Sequence, residues 1–280
     1  MRFSIVTASF NQGRFIRECI ESVRSQGVEF EHIVVDACST DETLDVLRDY
    51  PHLQWTSEPD EGQTDAINKG FRRATGDWMM WLNSDDYLRP GALKQVEDFI
   101  QSHKDADVVY GECVFVAEDG SVMKWKKQHR FSRSVLVFCG CYIPSTSCFY
   151  HRRVFERGVW LDPSFKVCMD FDFYVRIMEE GFRFEFIPEA LANFRWHESN
   201  ISTVHAERRY EERQRVQRAW LRNHGLGWIG QTRTLLFLHY VFVLRRKWLK
   251  WRGSFSRSAD VPISALPAAQ NPLARGKNML

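Results

Sequence analysis

No two of the seven cysteines in this 280-residue chain stand in a CxxC spacing. That absence excludes a zinc ribbon, and an odd number of cysteines at irregular positions does not make a disulfide framework. Reduced, mostly buried thiols are expected, with Cys139 and Cys141 of a CGC triplet forming the single tight cluster. Long uninterrupted apolar runs are also missing. The opening MRFSIVTASF passes from one charge into a short run of strand character, without the core of a signal peptide, so a cytoplasmic chain is expected. The run Leu235 to Leu244 is about half of the roughly 20 residues that cross a bilayer, which argues against a transmembrane helix. After the first apolar run, TASFNQGRF is poor in glycine and in basic residues. This speaks against the Gly- and Lys/Arg-rich loop of a nucleotidyltransferase. Nor is there a large net charge, since the formal sum is +2. The charge is uneven, however: residues 207–252 carry 12 Lys/Arg against 3 Glu, and residues 1–206 are left at −9. An acidic body with a basic end suggests that the end meets an anionic partner, either nucleic acid or a membrane surface.

What is present is ample apolar content, 44% of residues, enough for one large core and outside the range of disordered chains. RFSIVTAS reads as a buried parallel strand, and NQGRFIRECIESVRSQG places Phe15, Ile16, Cys19, Ile20 and Val23 at helical spacing. EHIVVDACSTDETLDVLRDY repeats the pattern, with a helix N-cap candidate at Ser39 or Thr40. LQWTSEP and DWMMWLNS give two further strands around a helix in GQTDAINKGFRRATG. Strands alternating with amphipathic helices predict an α/β fold, a mostly parallel Rossmann-like sheet with helices on both faces. Its ligands bind at the carboxyl ends of the strands. Beyond Leu93 the alternation fades into an antiparallel extension, with strands in ADVVYGECVFV and SVMKWKK and a pair of short strands in FEFIPEALANFRWH. Two helical stretches, 205–224 and 230–251, form a C-terminal extension. Residues 253–280, rich in Ser, Ala, Pro and Asn, are expected to be a disordered tail.

The apolar strand ending DWMMWLNSDD runs straight into Asp85 and Asp86. Magnesium and manganese are hard cations, commonly held by one or two protein carboxylates with a substrate diphosphate completing the shell, and adjacent acids at a strand end suit that task. NSDD also reads as a helix-capping turn. Asp36 ends another strand, where a carboxylate can accept hydrogen bonds from a base or ribose, and EPDEGQTDAINKG brings more polar groups to the same rim.

On SIVTASFNQGRFIRECIESVRSQ, HIVVDACSTDET, EPDEGQTDAINKGFRRATGDWMMWLNSDD and MDFDFYVRIMEEGFRFEFIPEALANFRWHESNIS, which span about residues 1–202, the chain resembles the family 2 glycosyltransferases. The resemblance implies the GT-A fold, in a domain over 1–204 with a nucleotide-binding half of about 1–105 and an acceptor half of about 106–204. It implies inverting transfer from a nucleotide-diphosphate sugar, a UDP-sugar being favoured, to a saccharide or lipid-linked saccharide in cell-surface polysaccharide or glycolipid synthesis. By resemblance, Thr7, Ala8 and Asp36 line the base and ribose pocket. Asp65, Lys69, Asn83 and Asp85 complete the nucleotide-sugar contacts. Asp86 is the expected direct ligand of a manganese or magnesium ion, with Asp85 beside it and His197 as a further candidate. The chain departs from the family pattern in having Ala37 and Cys38 where two glycines are common, and Met169-Asp170 where Glu-Asp is common.

The chemistry needs charge relief on a departing diphosphate and a base for the acceptor hydroxyl. Asp170 is the candidate base and Asp172 the alternate, although either can equally be read as a helix cap. Trp196 stacks on a sugar or fills the core. The basic segment 235–252, with Trp248 and Trp251, suits the headgroup layer of an anionic membrane. This would make the chain peripheral on the cytoplasmic face, and nucleic acid is not expected as a partner. A metal-dependent nucleotidyltransferase and a non-catalytic binding module for nucleic acid or membrane are the alternative classes.

Overall fold

The computed structural model describes residues 1–198, 200, 205–229 and 232–255. A central parallel ribbon is formed by β1 (Phe3–Ser9), β2 (Phe30–Asp36), β3 (Gln54–Ser57) and β4 (Trp78–Trp81), in the order β3-β2-β1-β4. β1, β2 and β4 are buried on both faces and therefore read as continuous apolar runs, while β3, at the end of the strand order, is partly exposed. Alternate residues serve two cores. Phe3, Ile5, Met80 and Leu82 point to one side with Cys19 and Val23 of α1 (Gly13–Arg24), while Val6, Ile33, Val35 and Trp81 point to the other. On that second face lies α3 (Gln63–Arg73). A Cβ on Gly70 would come within 2.3 Å of Val6 Cγ1, so glycine is what allows this helix to lie so close to β1. Helix α2 (Thr43–Arg48) packs beside α1 on the β2–β3 end.

The sheet then continues as a mixed extension through β8 (Cys148–His151), β6 (Val108–Val116), β9 (Phe184–Arg195) and β5 (Tyr87–Leu88), and β7 (Val122–Lys126) pairs with β6. The β6–β7 pairing is antiparallel, as the two runs around EDG lead one to expect. β9 is one strand of twelve residues rather than the expected pair. Its register against β6 shifts between Tyr110 and Cys113, and the Pro188 it contains falls in that irregularity, where a missing N–H costs no ladder bond. Helix α4 (Ala92–Ser102) covers the outer face near β5, and the short α6 (Arg153–Glu156) follows β8. Helix α5 (Arg133–Cys139), which the sequence reading left out, supports α7 (Met169–Glu179) and the two last helices.

Those last helices are α8 (Ala206–Asn223) and α9 (Thr232–Phe255). α9 lies on α5, with Phe242 stacked on Phe138 at 4.9 Å. Of the tail expected from residue 253, only 253–255 are described, as the end of α9, and the remainder lies outside the described residues. No helix among the described residues is long and apolar enough to cross a membrane. Ser39 does not cap α2. The helix begins at Thr43 after Glu42, because the Ser39 hydroxyl is engaged with Asp36.

Candidate active site

A cleft of about 660 Å³ opens at the carboxyl ends of β1, β2 and β4, where the topology places ligands. Its walls are the turns after those strands, with Ala8, Ser9, Ala37, Cys38, Asn83, Ser84 and Asp85, together with the start of α3 and the segment after β9. Asp36, expected to line the base and ribose pocket, is wholly buried and is not part of the cleft lining, to which its neighbours Ala37 and Cys38 contribute. Its carboxylate accepts from the Ser39 N–H at 2.9 Å, the Ser57 hydroxyl at 2.7 Å and the Ser39 hydroxyl. It is thus engaged in shaping the turn. Cys38 in that turn has φ +57°, the left-handed conformation that the family's usual glycine adopts without strain.

The two adjacent acids have opposite surroundings. Asp86 is 1% exposed and is not part of the cleft lining, and both its oxygens are occupied: Oδ1 accepts from the Arg195 backbone N–H and Oδ2 from Asn83 Nδ2, each at 2.9 Å. Burial first, and then the charge of Asp85, push its carboxyl well above the ordinary range. Asp85 lines the cleft. Its Oδ2 lies 2.8 Å from His197 Nε2 and 3.4 Å from Asn200 Nδ2, and His197 is itself stacked on Phe15. Asp85, with His197, therefore faces the cleft, whereas Asp86, the expected direct metal ligand, is turned away from it and holds the loop. Asn83 links the start of α3 to Asp86, accepting from Gln63 Nε2 at 2.8 Å while donating to Asp86. No group of three His, Cys, Asp or Glu side chains suited to a metal occurs among the described residues.

Three further expectations are placed differently. Thr7 points away from the cleft, its hydroxyl 2.9 Å from His32 Nε2, so only its neighbour Ala8 lines the pocket. Lys69 pairs with Glu58 and Asp65 at 3.3 Å and donates to the Pro59 carbonyl, and Asp65 accepts from the Glu61 N–H. Both brace the loop before α3 from outside the lining. Trp196 is 39% exposed and stacks on Phe115 rather than filling the core.

Asp170 lines a second cavity of about 400 Å³, between the end of α5, the start of α7 and α8. Burial pushes its carboxyl above the ordinary Asp value, against the opposing pull of the Cys141 thiol, 3.3 Å from Oδ2, and the Phe171 N–H. Asp172 is held by Arg176, with Nε at 2.8 Å and Nη2 at 2.7 Å, and lines neither cavity. The two cavities have no lining residue in common, but Thr64, next to Gln63 of the cleft, donates to the Phe165 carbonyl at 3.0 Å and sits 2.9 Å from the Sδ of Met169, the neighbour of Asp170.

The sequence profile of Glycosyl transferase family 2 matches residues 4–163. The chain belongs to that family. A Mycobacterium bovis PGL/p-HBAD biosynthesis glycosyltransferase is 30% identical over 181 residues, which make up 62% of this chain and 68% of that one. Among solved structures, Staphylococcus aureus TarS in complex with UDP-GlcNAc superposes with a TM-score of 0.64 at 20% identity, covering 93% of this chain and 77% of that one. The mannosyltransferase PcManGT of Pyrobaculum calidifontis, in complex with GDP-Man and Mn2+, gives 0.60 at 15% identity, over 94% and 77%. At these identities the structural likeness is one of fold.

Within this family 2 glycosyltransferase, two residues that the motifs did not single out tie the site together. Arg195 is 3% exposed and packed between the rings of Phe15 and Tyr87. It donates to the Asp85 carbonyl at 3.0 Å and the Glu118 carbonyl at 2.5 Å, and pairs with Glu18. Glu212 of α8 accepts from the N–H groups of Lys166, Val167 and Cys168 at 2.8–3.0 Å, just before α7 begins. An arginine ending an apolar strand was an available signal, whereas Glu212 is one of three glutamates on α8 and nothing in the sequence sets it apart.

Proposed function

We propose that this glycosyltransferase transfers a sugar from a nucleotide-diphosphate donor, UDP-linked by preference, to a hydroxyl of a saccharide or lipid-linked saccharide, with inversion at the anomeric carbon. The observation that carries the reading is the charge of the cleft. Among the described residues its lining contains Asp60 and Asp85 but no lysine or arginine, so a diphosphate there meets two carboxylates and no Lys or Arg side chain to offset its charge. A hard divalent ion that takes one or two protein ligands fits this arrangement, with Asp85 and His197 holding it. When bound, manganese or magnesium supplies Lewis-acid relief of the charge on the departing diphosphate. The chain itself does the rest. Ala8, Ala37 and Cys38 give the base and ribose a floor shaped by Asp36, and Asn83 positions the phosphate side. Asp170 takes the proton from the acceptor hydroxyl as that oxygen bonds to the anomeric carbon and the bond to the diphosphate breaks.

The uridine preference and the role in cell-surface saccharide synthesis draw support from the relatives. TarS was solved in complex with UDP-GlcNAc, and the mycobacterial relative is named for PGL/p-HBAD biosynthesis. A donor half of about residues 1–105 and an acceptor half of about 106–204 remains our reading, with His197 and Asn200 of the second half reaching into the donor cleft. Calorimetric titration of UDP with and without manganese is the test, on the wild type and on Asp85→Asn. Binding is expected only with the ion and is expected to be lost in the variant. UDP affinity indifferent to manganese in the wild type would overturn the metal assignment.

A further inference from the structure

Two polar side chains of the cleft are left unsatisfied among the described residues. Ser9, the last residue of β1, lines the cleft and is 4% exposed, yet its hydroxyl has no hydrogen-bond partner. Gln12, just before α1, also lines it, and its buried Oε1 is equally unpaired. The amides elsewhere in the lining are engaged, Asn83 with Gln63 and Asp86, and Asn200 with Asp85. A buried hydroxyl and a buried carbonyl without partners each cost free energy, which points to a group that arrives from outside. The turn that carries them is firmly held. Asn11, between them, has φ +52°, a left-handed conformation that asparagine tolerates. Its N–H donates to Ser39 Oγ at 2.8 Å, and its Oδ1 accepts from the Thr40 N–H at 2.9 Å. The N–H groups of Gln12 and Gly13 donate to Thr43 Oγ1 at 3.0 Å and Asp41 Oδ2 at 2.9 Å. The turn after β1 is thus laced to the turn after β2, and a ligand finds Ser9 and Gln12 already in place.

We propose that Ser9 and Gln12 select the nucleobase of the donor: Gln12 Oε1 accepts the imide N–H of uracil, and the Ser9 hydroxyl donates to a ring carbonyl beside it. The proposal rests on the reading of this cleft as the nucleotide-sugar site and names the groups that choose the base. Asp36 is not available for that task, because Ser39 and Ser57 occupy its carboxylate and it lies outside the lining. Ala8, Ala37 and Cys38, small side chains at the same two strand ends, leave room for a flat ring. Cytosine in that place turns an unprotonated ring nitrogen toward Oε1, acceptor against acceptor, and brings an amino group where uracil has a carbonyl. A site whose buried polar groups are left unpaired rejects such an analogue.

The test titrates the full chain calorimetrically, with manganese present, with UDP, CDP, 2′-deoxy-UDP and 3-methyl-UDP, in which a methyl group replaces the imide hydrogen. CDP and 3-methyl-UDP are expected to bind about tenfold or more weakly than UDP, the consequence of leaving a buried acceptor unpaired. Gln12→Ala is expected to bring UDP down to the level of 3-methyl-UDP, so that the preference disappears. Ser9→Ala is expected to weaken UDP binding while the urea midpoint of the ligand-free chain holds or rises, since the change removes a buried hydroxyl without a partner. A hydroxyl with a purely structural part would give a lower midpoint and unchanged UDP affinity, and that result overturns the role of Ser9. CDP or 3-methyl-UDP binding as tightly as UDP, or a preference for UDP kept in full by Gln12→Ala, overturns the base assignment. So does a preference for UDP over 2′-deoxy-UDP that both variants erase, because the two side chains then serve the ribose. Failure of UDP to bind the wild type even with manganese overturns the donor reading itself, and the base assignment falls with it.

Discussion

At the residue scale, the environment of each carboxylate decides its part more than its position in a motif does. NSDD is legible as a site, yet which acid faces the ligand is set by what arrives from residue 195, more than a hundred positions away. The Arg195 backbone N–H and Asn83 claim Asp86, and His197 meets Asp85. No local pattern carries that information. The same reasoning separates Asp170 from Asp172, because Arg176, one helical turn on, neutralises the latter. Asp170→Asn is expected to leave UDP binding intact and to lower transfer by about 10² to 10⁴, the usual contribution of a general base. Asp172→Asn is expected to lower thermal stability instead. The pH profile gives an independent check. Since burial raises the Asp170 carboxyl, the base is protonated and idle further up the pH scale than an ordinary aspartate. The acid limb of kcat/KM should therefore rise with pH above the usual range near 4, and vanish from the residual activity of the Asn variant. A limb at the ordinary aspartate value, or near wild-type transfer by Asp170→Asn, would remove Asp170 from the chemistry.

At the scale of elements, the βα alternation over the first hundred residues was legible because β1, β2 and β4 are buried on both faces and the helices on one, and both leave a pattern in the sequence. The later half was less so. β9 looked like two strands because Pro188 interrupts its pattern, and the register shift against β6 that accommodates the proline has no sequence signature. α5 was hidden by its brevity. The contact that matters most there is Glu212, through which α8 holds the segment leading into α7 and hence Asp170. Burial alone would raise the Glu212 carboxyl, but the three backbone N–H bonds and Arg208 outweigh it and leave the group below its usual value. A carboxylate with a depressed folded pKa stabilises above its unfolded pKa, near 4.3, and loses that contribution as pH falls through the folded value. Glu212→Gln removes the charge and turns a donor toward donors, a cost of about 1–3 kcal/mol. The expected results are a lower urea midpoint at pH 7, a difference from wild type that shrinks toward pH 3, and a reduced kcat with UDP affinity unchanged. If kcat and the midpoint both hold, α8 does not position the base.

At the scale of the whole molecule, the charge asymmetry legible in the composition acquires a direction. α9 turns His239, Phe242 and Arg246 toward the body and leaves Phe237, Tyr240, Leu244, Trp248 and Trp251 facing outward, Trp251 at 60% exposure. Arg245, Lys247 and Arg252 are exposed on the same helix, which has no Asp or Glu. An apolar, aromatic stripe among cations is what an interfacial helix presents to anionic lipid, with tryptophan at the headgroup level. On such a surface the body, at −9 over residues 1–206, would be repelled, so a field that drew α9 down would orient the acidic half away from the bilayer. Only the outward cations are expected to take part, because Arg246 and Lys250 are turned inward. Each cation near an anionic surface contributes on the order of 1 kcal/mol. The triple change Arg245→Gln, Lys247→Gln, Arg252→Gln should therefore weaken binding to phosphatidylserine vesicles about a hundredfold, and Trp248→Ala with Trp251→Ala should weaken it at any salt concentration. Salt should relieve only the first of these contributions, since screening acts on charges and not on buried apolar area. Co-sedimentation at low and high salt separates the two. If the triple variant pellets with the vesicles as the wild type does, or if the wild type instead forms a concentration-dependent dimer that the tryptophan changes abolish, then α9 faces a second copy of the chain or another protein, and the membrane reading is wrong.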